Sequence, residues 1–410
     1  VEPAARPSAN RSRAIVLAAF GATVLLGALG TVGSLCVTFN RLPTGSMAPT
    51  LLGRHAEARC PACAYPFFVG VREHEEVGAD TVGECPLCEE EFDLTLDPLL
   101  QGSGIVSNRF GTPGRWDVAL HEADSGALYA KRVIGLPGET LEFVGGDLLV
   151  DGVVQRKPDD LQARFWFPVH DARHIRAGAS TWAAVGSATV AWDLSSQATQ
   201  RWPGGAQASP WLELARPIVD TFAYNRANYP RTHAVGDVRL RARAAIDSGG
   251  ELRVALAHDD RQVVASLRAG RVAIEVDGVA VAQAAVTLQV NAPWEVTFTY
   301  VDRHAALLVG ESTLLAWDDP HPPAALSSSR VRLQVLTTSA ATITDVRVDR
   351  DLYLGSAAYP RSRYDPAERP QSVPSAAYFL IGDNVMHSQD SRQLGFVPEA
   401  SLRGVVLGSY

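Results

Sequence analysis

Residues 129–139 read YAKRVIGLPGE: an apolar strand interrupted by Lys131 and Arg132 and closed by a Pro-Gly turn. Ala127, Leu128, Val133, Ile134 and Leu136 flank Lys131. An amine in such surroundings loses hydration, so its pKa falls from about 10.4 towards neutrality. Once neutral, it can take the proton of a serine hydroxyl, the Ser–Lys variant of nucleophilic catalysis. Arginine cannot, because its pKa stays above about 12. Composition adds weight here. Of 37 Lys+Arg residues only Lys131 and Lys157 are lysines. Lys157 falls in no motif and reads as a solvated strand-end residue. The plain alternative for Lys131 is a snorkelling or ion-paired lysine on a strand edge.

Working outward, PTGSMAPTL at 43–51 carries Ser46 between Pro43 and Pro49, which predicts a fixed extended turn. Far downstream, GDNVMHSQDSRQLG at 382–395 is a polar turn whose Asp383, Asn384, Ser388, Asp390, Ser391 and Arg392 can orient other groups. GRWDVAL at 114–120 is a turn entering a strand. Each segment alone reads as an ordinary turn. In this order they resemble the type I signal peptidases, membrane-bound Ser–Lys endopeptidases that remove secretory signal peptides.

The resemblance implies a mostly β catalytic fold on the membrane surface. It also implies Ser46 as nucleophile and Lys131 as general base. Thr44 is then the hydroxyl that helps the Ser46 backbone N–H form the oxyanion hole, and Ser388 orients the lysine. Asp390 and Arg392 match a supporting ion pair, Arg132 follows the base, and Asp383 belongs to the same supporting turn. Substrates would be preproteins with small residues at the first and third positions before the cut. Val385 and Met386 depart from the Arg and Asp often found after Gly-Asp-Asn, and 102–110 lacks the usual Asp-Arg; neither touches nucleophile or base.

Residues 14–39 carry no charge and are long enough for a membrane-crossing helix. Arg6, Arg11 and Arg13 precede them, so the positive-inside rule puts residues 1–13 in the cytoplasm and the catalytic part outside, on a single-pass protein of the cytoplasmic membrane. The expected order is then core residues 40–53, a cysteine-bearing insert at 54–100, core residues 101–160, an insert at 161–370 and a core segment at 371–410.

Cys60, Cys63, Cys85 and Cys88 form two C-x-x-C pairs in the first insert. Their spacing is close to that of a four-thiolate zinc ribbon, and four cysteine ligands leave no open position, so the zinc would be structural. Two disulfides or redox pairs are the competing reading outside the cytoplasm. No cofactor is expected for catalysis. Between about 235 and 350, DVRLRARAAI, ELRVAL, QVVASL, RVAIEVDG and WEVTFTYV alternate with period two at sandwich-like spacing. This stretch weakly resembles concanavalin/laminin-G-like jelly rolls, for which a carbohydrate or protein ligand is one expectation. The five tryptophans between Trp166 and Trp211 read as core first and as sugar platforms second.

The fold class is therefore mainly β: an anchor helix, a peptidase-like core, a zinc-ribbon-like insert and a β-sandwich. A net charge of −8 argues against nucleic acid as the main partner. Signal-peptide-bearing preproteins and membrane lipid are the expected partners. Two other readings remain open: a membrane-tethered scaffold with a vestigial core, and a Ser–Lys peptidase dedicated to a restricted substrate.

Overall fold

The strand Leu128–Gly135 lies inside a seven-stranded antiparallel sheet, between Val118–Glu122 and Ala377–Ile381. Outward from these run Leu402–Ser409, Gly104–Asn108 and Val37–Arg41 on one side and Val397–Pro398 on the other. Successive side chains of a strand point to opposite faces. Here both faces are covered, so burial is continuous from Ala130 to Gly135 rather than alternating. Ala130 packs with Met47, Leu51 and Ile105, while Val133 packs with Ala119, Tyr378 and Leu380. The description comes from a computed structural model and covers residues 36–71, 76, 80–186, 190–196, 198–221, 224, 233–289, 292–355 and 364–410.

A four-stranded sheet of Val153–Val154, Asp147–Val150, Thr140–Val144 and Gln371–Ser372 adds a second layer around Leu141, Phe143, Leu148, Phe165 and Phe379. The cysteine-bearing segment contributes small sheets, Pro66–Gly70 with His55–Arg59 and Leu99–Leu100, and Asp80–Glu84 with Glu91–Thr95. The remaining strands make two facing sheets of eight and seven strands around one apolar core. The strand Val238–Ala245 shows the expected alternation, with Val238, Leu240, Ala242 and Ala244 buried.

Four expectations need correction. The sandwich begins earlier than residue 235: Phe167–Asp171, Trp182–Val185, Asp193–Ser196, Thr199–Trp202 and Trp211–Leu214 all pair into its sheets. These strands are short and poor in alternation, so pairing rather than local pattern defines them. Lys157 is not solvated. Its amine is buried and ion-paired with Asp302 at 2.7 Å and Asp351 at 2.8 Å, both reached only through the folded sandwich. The segment around Ser46 is a tight turn rather than an extended one, closed by bonds from Ala48 N to Gly45 O and Leu51 N to Met47 O. Finally, Val37–Phe39 form part of an edge strand paired with Val106–Asn108, so a membrane helix does not run to residue 39. The rest of the 14–39 segment, through residue 35, lies outside the described residues. Among the described residues no helix is long and apolar enough to cross a membrane.

The tryptophans divide clearly. Trp182, Trp192 and Trp202 are buried in the sandwich core, while Trp166 and Trp211 are half-buried beneath the guanidinium groups of Arg239 and Arg253. Trp202→Ala is therefore expected to destabilise the sandwich by about 3–5 kcal/mol, the cost of a large buried aromatic. Denaturant unfolding followed by near-ultraviolet circular dichroism checks this; a loss under 1 kcal/mol contradicts a core role.

Candidate active site and cysteine cluster

Lys131 is 3% exposed. Its position in the strand Leu128–Gly135 pairs with Ala119, and its Nζ donates to Ser388 Oγ at 2.9 Å. Burial strips water from the ammonium and lowers the pKa to about 8, with the Asp390 carboxylate pulling back upwards and Arg392 pushing down. Ser388 itself is fully buried, at the end of the short helical turn Val385–His387.

Ser46 is half-buried and its Oγ lies 3.5 Å from the hydroxyl of the exposed Thr44. The serine and the lysine come from segments 85 positions apart, and a third segment joins them. Asn384 donates from its backbone N–H to Ser46 O at 3.1 Å and from Nδ2 to Gly45 O at 3.0 Å. Gly382 lies between them: a Cβ there would sit 2.2 Å from Ser388 Oγ and 2.4 Å from Ser46 O. Only glycine permits that approach, which explains the first residue of the Gly-Asp-Asn turn.

Two buried ion pairs hold these loops. Arg132 binds Asp383 in a fork, Nε to Oδ1 and Nη2 to Oδ2, both at 2.6 Å. The same guanidinium reaches Trp116 O in the 114–120 turn and Thr50 Oγ1, at 3.3 Å, beside the nucleophile segment. Thus one side chain ties its own motif to the other three. Arg392 forks onto Asp390 at 2.9 and 2.8 Å and donates to Val385 O and Gly355 O. Asp390 also accepts from Gly382 N at 3.0 Å and closes a capping box with Gln393 on Ser391–Leu394. Burial pushes the Asp390 carboxyl up, but Arg392 and these hydrogen bonds outweigh it and hold the pKa below the usual carboxylate value.

The segments that carry the eight candidate residues named from sequence are thus linked to one another around the strand Leu128–Gly135. Two contributors were not assigned from sequence. Asn384 was visible as a polar turn residue, but its hold on the Ser46 backbone depends on tertiary packing. Tyr224 had no sequence signal. Its buried ring lies against the nucleophile segment so closely that a Cβ on Gly45 would meet Tyr224 Cε1 at 2.5 Å.

The four cysteines cluster separately. All Sγ atoms lie within 4.8 Å of one another, with Cys60–Cys88 at 3.5 Å and Cys63–Cys85 at 3.6 Å. A disulfide needs about 2.05 Å, and these thiols are free. A tetrahedron with metal–sulfur bonds of about 2.3 Å has edges of about 3.8 Å, so the separations are compatible with structural zinc. Each pair forms the same knuckle, with Ala64 N bonded to Cys60 O and Glu89 N to Cys85 O. Burial pushes the Cys63 thiol up to about 12 and raises Cys85 as well. Three buried sulfurs and the half-buried Cys88 this close together would need a cation to coexist as thiolates. The knuckles rest on the sandwich: His174 Nδ1 contacts Cys63 O at 3.1 Å, and Arg216 reaches Pro86 O, Leu87 O and Glu89.

Comparisons with known proteins bear on the core. A carbohydrate binding module, CBM66, from Bacillus subtilis is 11% identical and covers 42% of this chain and 97% of its own, with a TM-score of 0.30. A Bacillus licheniformis beta-glucanase is 7% identical over 43% of this chain and 95% of its own, also at 0.30. Likenesses this remote carry no argument. No curated protein matches the chain. A family model described as signal peptidase, peptidase S26, matches residues 13–164 and 331–410, more than half of the chain. These stretches include all four motifs, and the chain belongs to the signal peptidase family, peptidase S26.

Proposed function

We propose that the chain is a serine endopeptidase that cleaves N-terminal signal peptides from preproteins by a Ser–Lys mechanism. The observation that carries this reading is the fully buried Lys131 amine, held by Ser388 beside a turn that also grips the Ser46 backbone. An extended signal-peptide segment would lie along the sheet edge beside the site. Lys131, neutral, takes the Ser46 proton as Oγ attacks the scissile carbonyl. The Ser46 N–H and the Thr44 hydroxyl stabilise the oxyanion, each donor worth a few kcal/mol. The Lys131 ammonium returns that proton to the leaving amine as the C–N bond breaks, and the lysine, neutral again, then takes a proton from the water that releases the acyl group. The anchor expected at 14–39 would hold the enzyme in the cytoplasmic membrane, with the site on the far side among lipid headgroups.

Ser46→Ala and Lys131→Arg are each expected to abolish cleavage of an Ala-x-Ala preprotein, and undiminished cleavage by either sinks the mechanism. Ser388→Ala is expected to lower kcat by about 10–100-fold, the worth of one hydrogen bond to a charged group. The sign of the pH dependence follows from the base. Because Lys131 acts deprotonated and its pKa is lowered to about 8, kcat/KM should rise about tenfold per pH unit up to about 8 and then level. A profile flat between pH 6 and 9 contradicts that assignment.

We also propose that Cys60, Cys63, Cys85 and Cys88 hold one structural zinc. Metal analysis of the purified chain should find one zinc per molecule, and its removal should loosen the module from the sandwich contacts of His174 and Arg216. Two disulfides and no zinc by mass spectrometry would overturn it. The scaffold reading gains nothing from an intact site. A narrowed substrate range gains one observation, the insert residue Tyr224 packed on Gly45 next to the nucleophile. Tyr224→Ala should then widen the set of preproteins cleaved in a competition assay; an unchanged set argues for general processing.

A further inference from the structure

The peptidase core meets the sandwich at a buried group of carboxylates that the proposed chemistry does not use. Asp147 comes from the core hairpin, Asp237 precedes the sandwich strand Val238–Ala245, and Asp302 sits in the turn between Trp294–Val301 and His304–Val309. One oxygen from each lies within 4.8 Å of the other two. Asp147 and Asp302 are 4% and 3% exposed. The positions are fixed by backbone bonds: Asp302 N donates to Asp237 Oδ2 at 3.0 Å, Asp351 N to Asp237 O at 2.9 Å, and Leu354 N to Gly146 O at 3.1 Å.

The charges do not balance. Lys157 neutralises the Asp302–Asp351 side, yet it is one amine against four carboxylates. Of the arginines beside the group, Arg156 pairs with Asp318 and Arg303 with Asp319. Unpaired buried carboxylates are costly, so such a group must take up protons or a cation.

A second observation points to a ligand. Asp147 and Asp237 line a cavity of about 480 Å³, and so does His258. His258 is 7% exposed, its Nδ1 edge is turned to the Gly236 backbone, and its Nε2 has no hydrogen-bond partner. A ring that donates from Nδ1 to a backbone carbonyl offers a lone pair at Nε2. The cavity has room for an ion and its water. Like charges this close repel one another, and a cation between them relieves that repulsion.

We propose that Asp147, Asp237 and Asp302 bind one hard divalent cation at the junction of core and sandwich, with His258 accepting a hydrogen bond from a water on that ion. Oxygen ligands favour calcium, magnesium or manganese over the soft metals of a thiolate site. Two ligands come from the sandwich and one from the core, so the ion would fasten the insert to the enzyme.

The test uses the full chain in detergent, titrated calorimetrically with calcium, magnesium and manganese chloride in turn and followed by thermal unfolding. Saturable binding of one ion per chain by at least one of the three, with a rise in Tm, is expected. Asp237→Asn should bind that ion at least tenfold more weakly, and in divalent-free buffer it should unfold at a higher temperature than wild type, because one repulsive charge is gone. Failure of all three ions to bind the folded wild type, or unchanged binding by Asp237→Asn, overturns the proposal. Proton uptake alone would appear as stability that depends on pH but on none of the ions, and would overturn it equally.

Discussion

An ammonium group keeps a tight hydration shell, and the interior around Lys131 does not replace it. Among the described residues its Nζ makes one hydrogen bond, to Ser388, a poor substitute for water. Lowering the pKa from its ordinary 10.5 to about 8 corresponds to about 3 kcal/mol of disfavoured charge. The rest of the core is arranged to sustain that condition. The strand is covered on both faces, so water does not return, and the loop carrying Ser388 is held rigid so that the amine does not swing to solvent. The Asp390–Arg392 pair shows why rigidity needs charge balance. Asp390 alone would pull the lysine's proton back on, and Arg392, forked onto it, offsets part of that pull.

The same logic places Ser46, the proposed nucleophile. Ser46 is held through its backbone by Asn384 and through the absence of a side chain at Gly382, so its hydroxyl is left to the neighbouring Thr44. Arg132 then locks the loop, the 114–120 turn and Thr50 into one body. A residue beside the base therefore acts as a positioning residue without touching the reacting atoms. The two inserts are not loose additions. Tyr224 rests on the nucleophile segment, the cysteine knuckles rest on the sandwich, and Lys157 bridges core and sandwich.

Sequence and structure part company in instructive places. Lys131 and Lys157 are the two lysines of the chain, and both are buried, with opposite outcomes. Lys131 faces one hydroxyl and a neutralised carboxylate and is driven towards the free base. Burial also disfavours charge on Lys157, but Asp302 and Asp351 lie against it and raise its pKa instead. Nothing within a few residues of Lys157 foretold this, because its partners lie about 145 and 194 positions away. The tryptophans repeat the lesson: their number was plain, but only strand pairing decided that Trp182 and Trp202 are core.

What the sequence alone determined was local or motif-bound. Period-two alternation marked the strands of the later sandwich, because a strand with one buried face must alternate. The two C-x-x-C pairs marked a cluster, because a knuckle presents two sulfurs from one short turn. The four motifs supplied the candidate residues of the site, because each motif is a short segment with its own chemistry. The tertiary structure decided the quantities that depend on distant neighbours: the protonation of each lysine, the grip of Asn384 on Ser46, the approach of Tyr224, and the meeting of Asp147, Asp237 and Asp302. Burial and charge are set by what packs alongside, and in this chain those partners arrive from segments that sequence order keeps far apart.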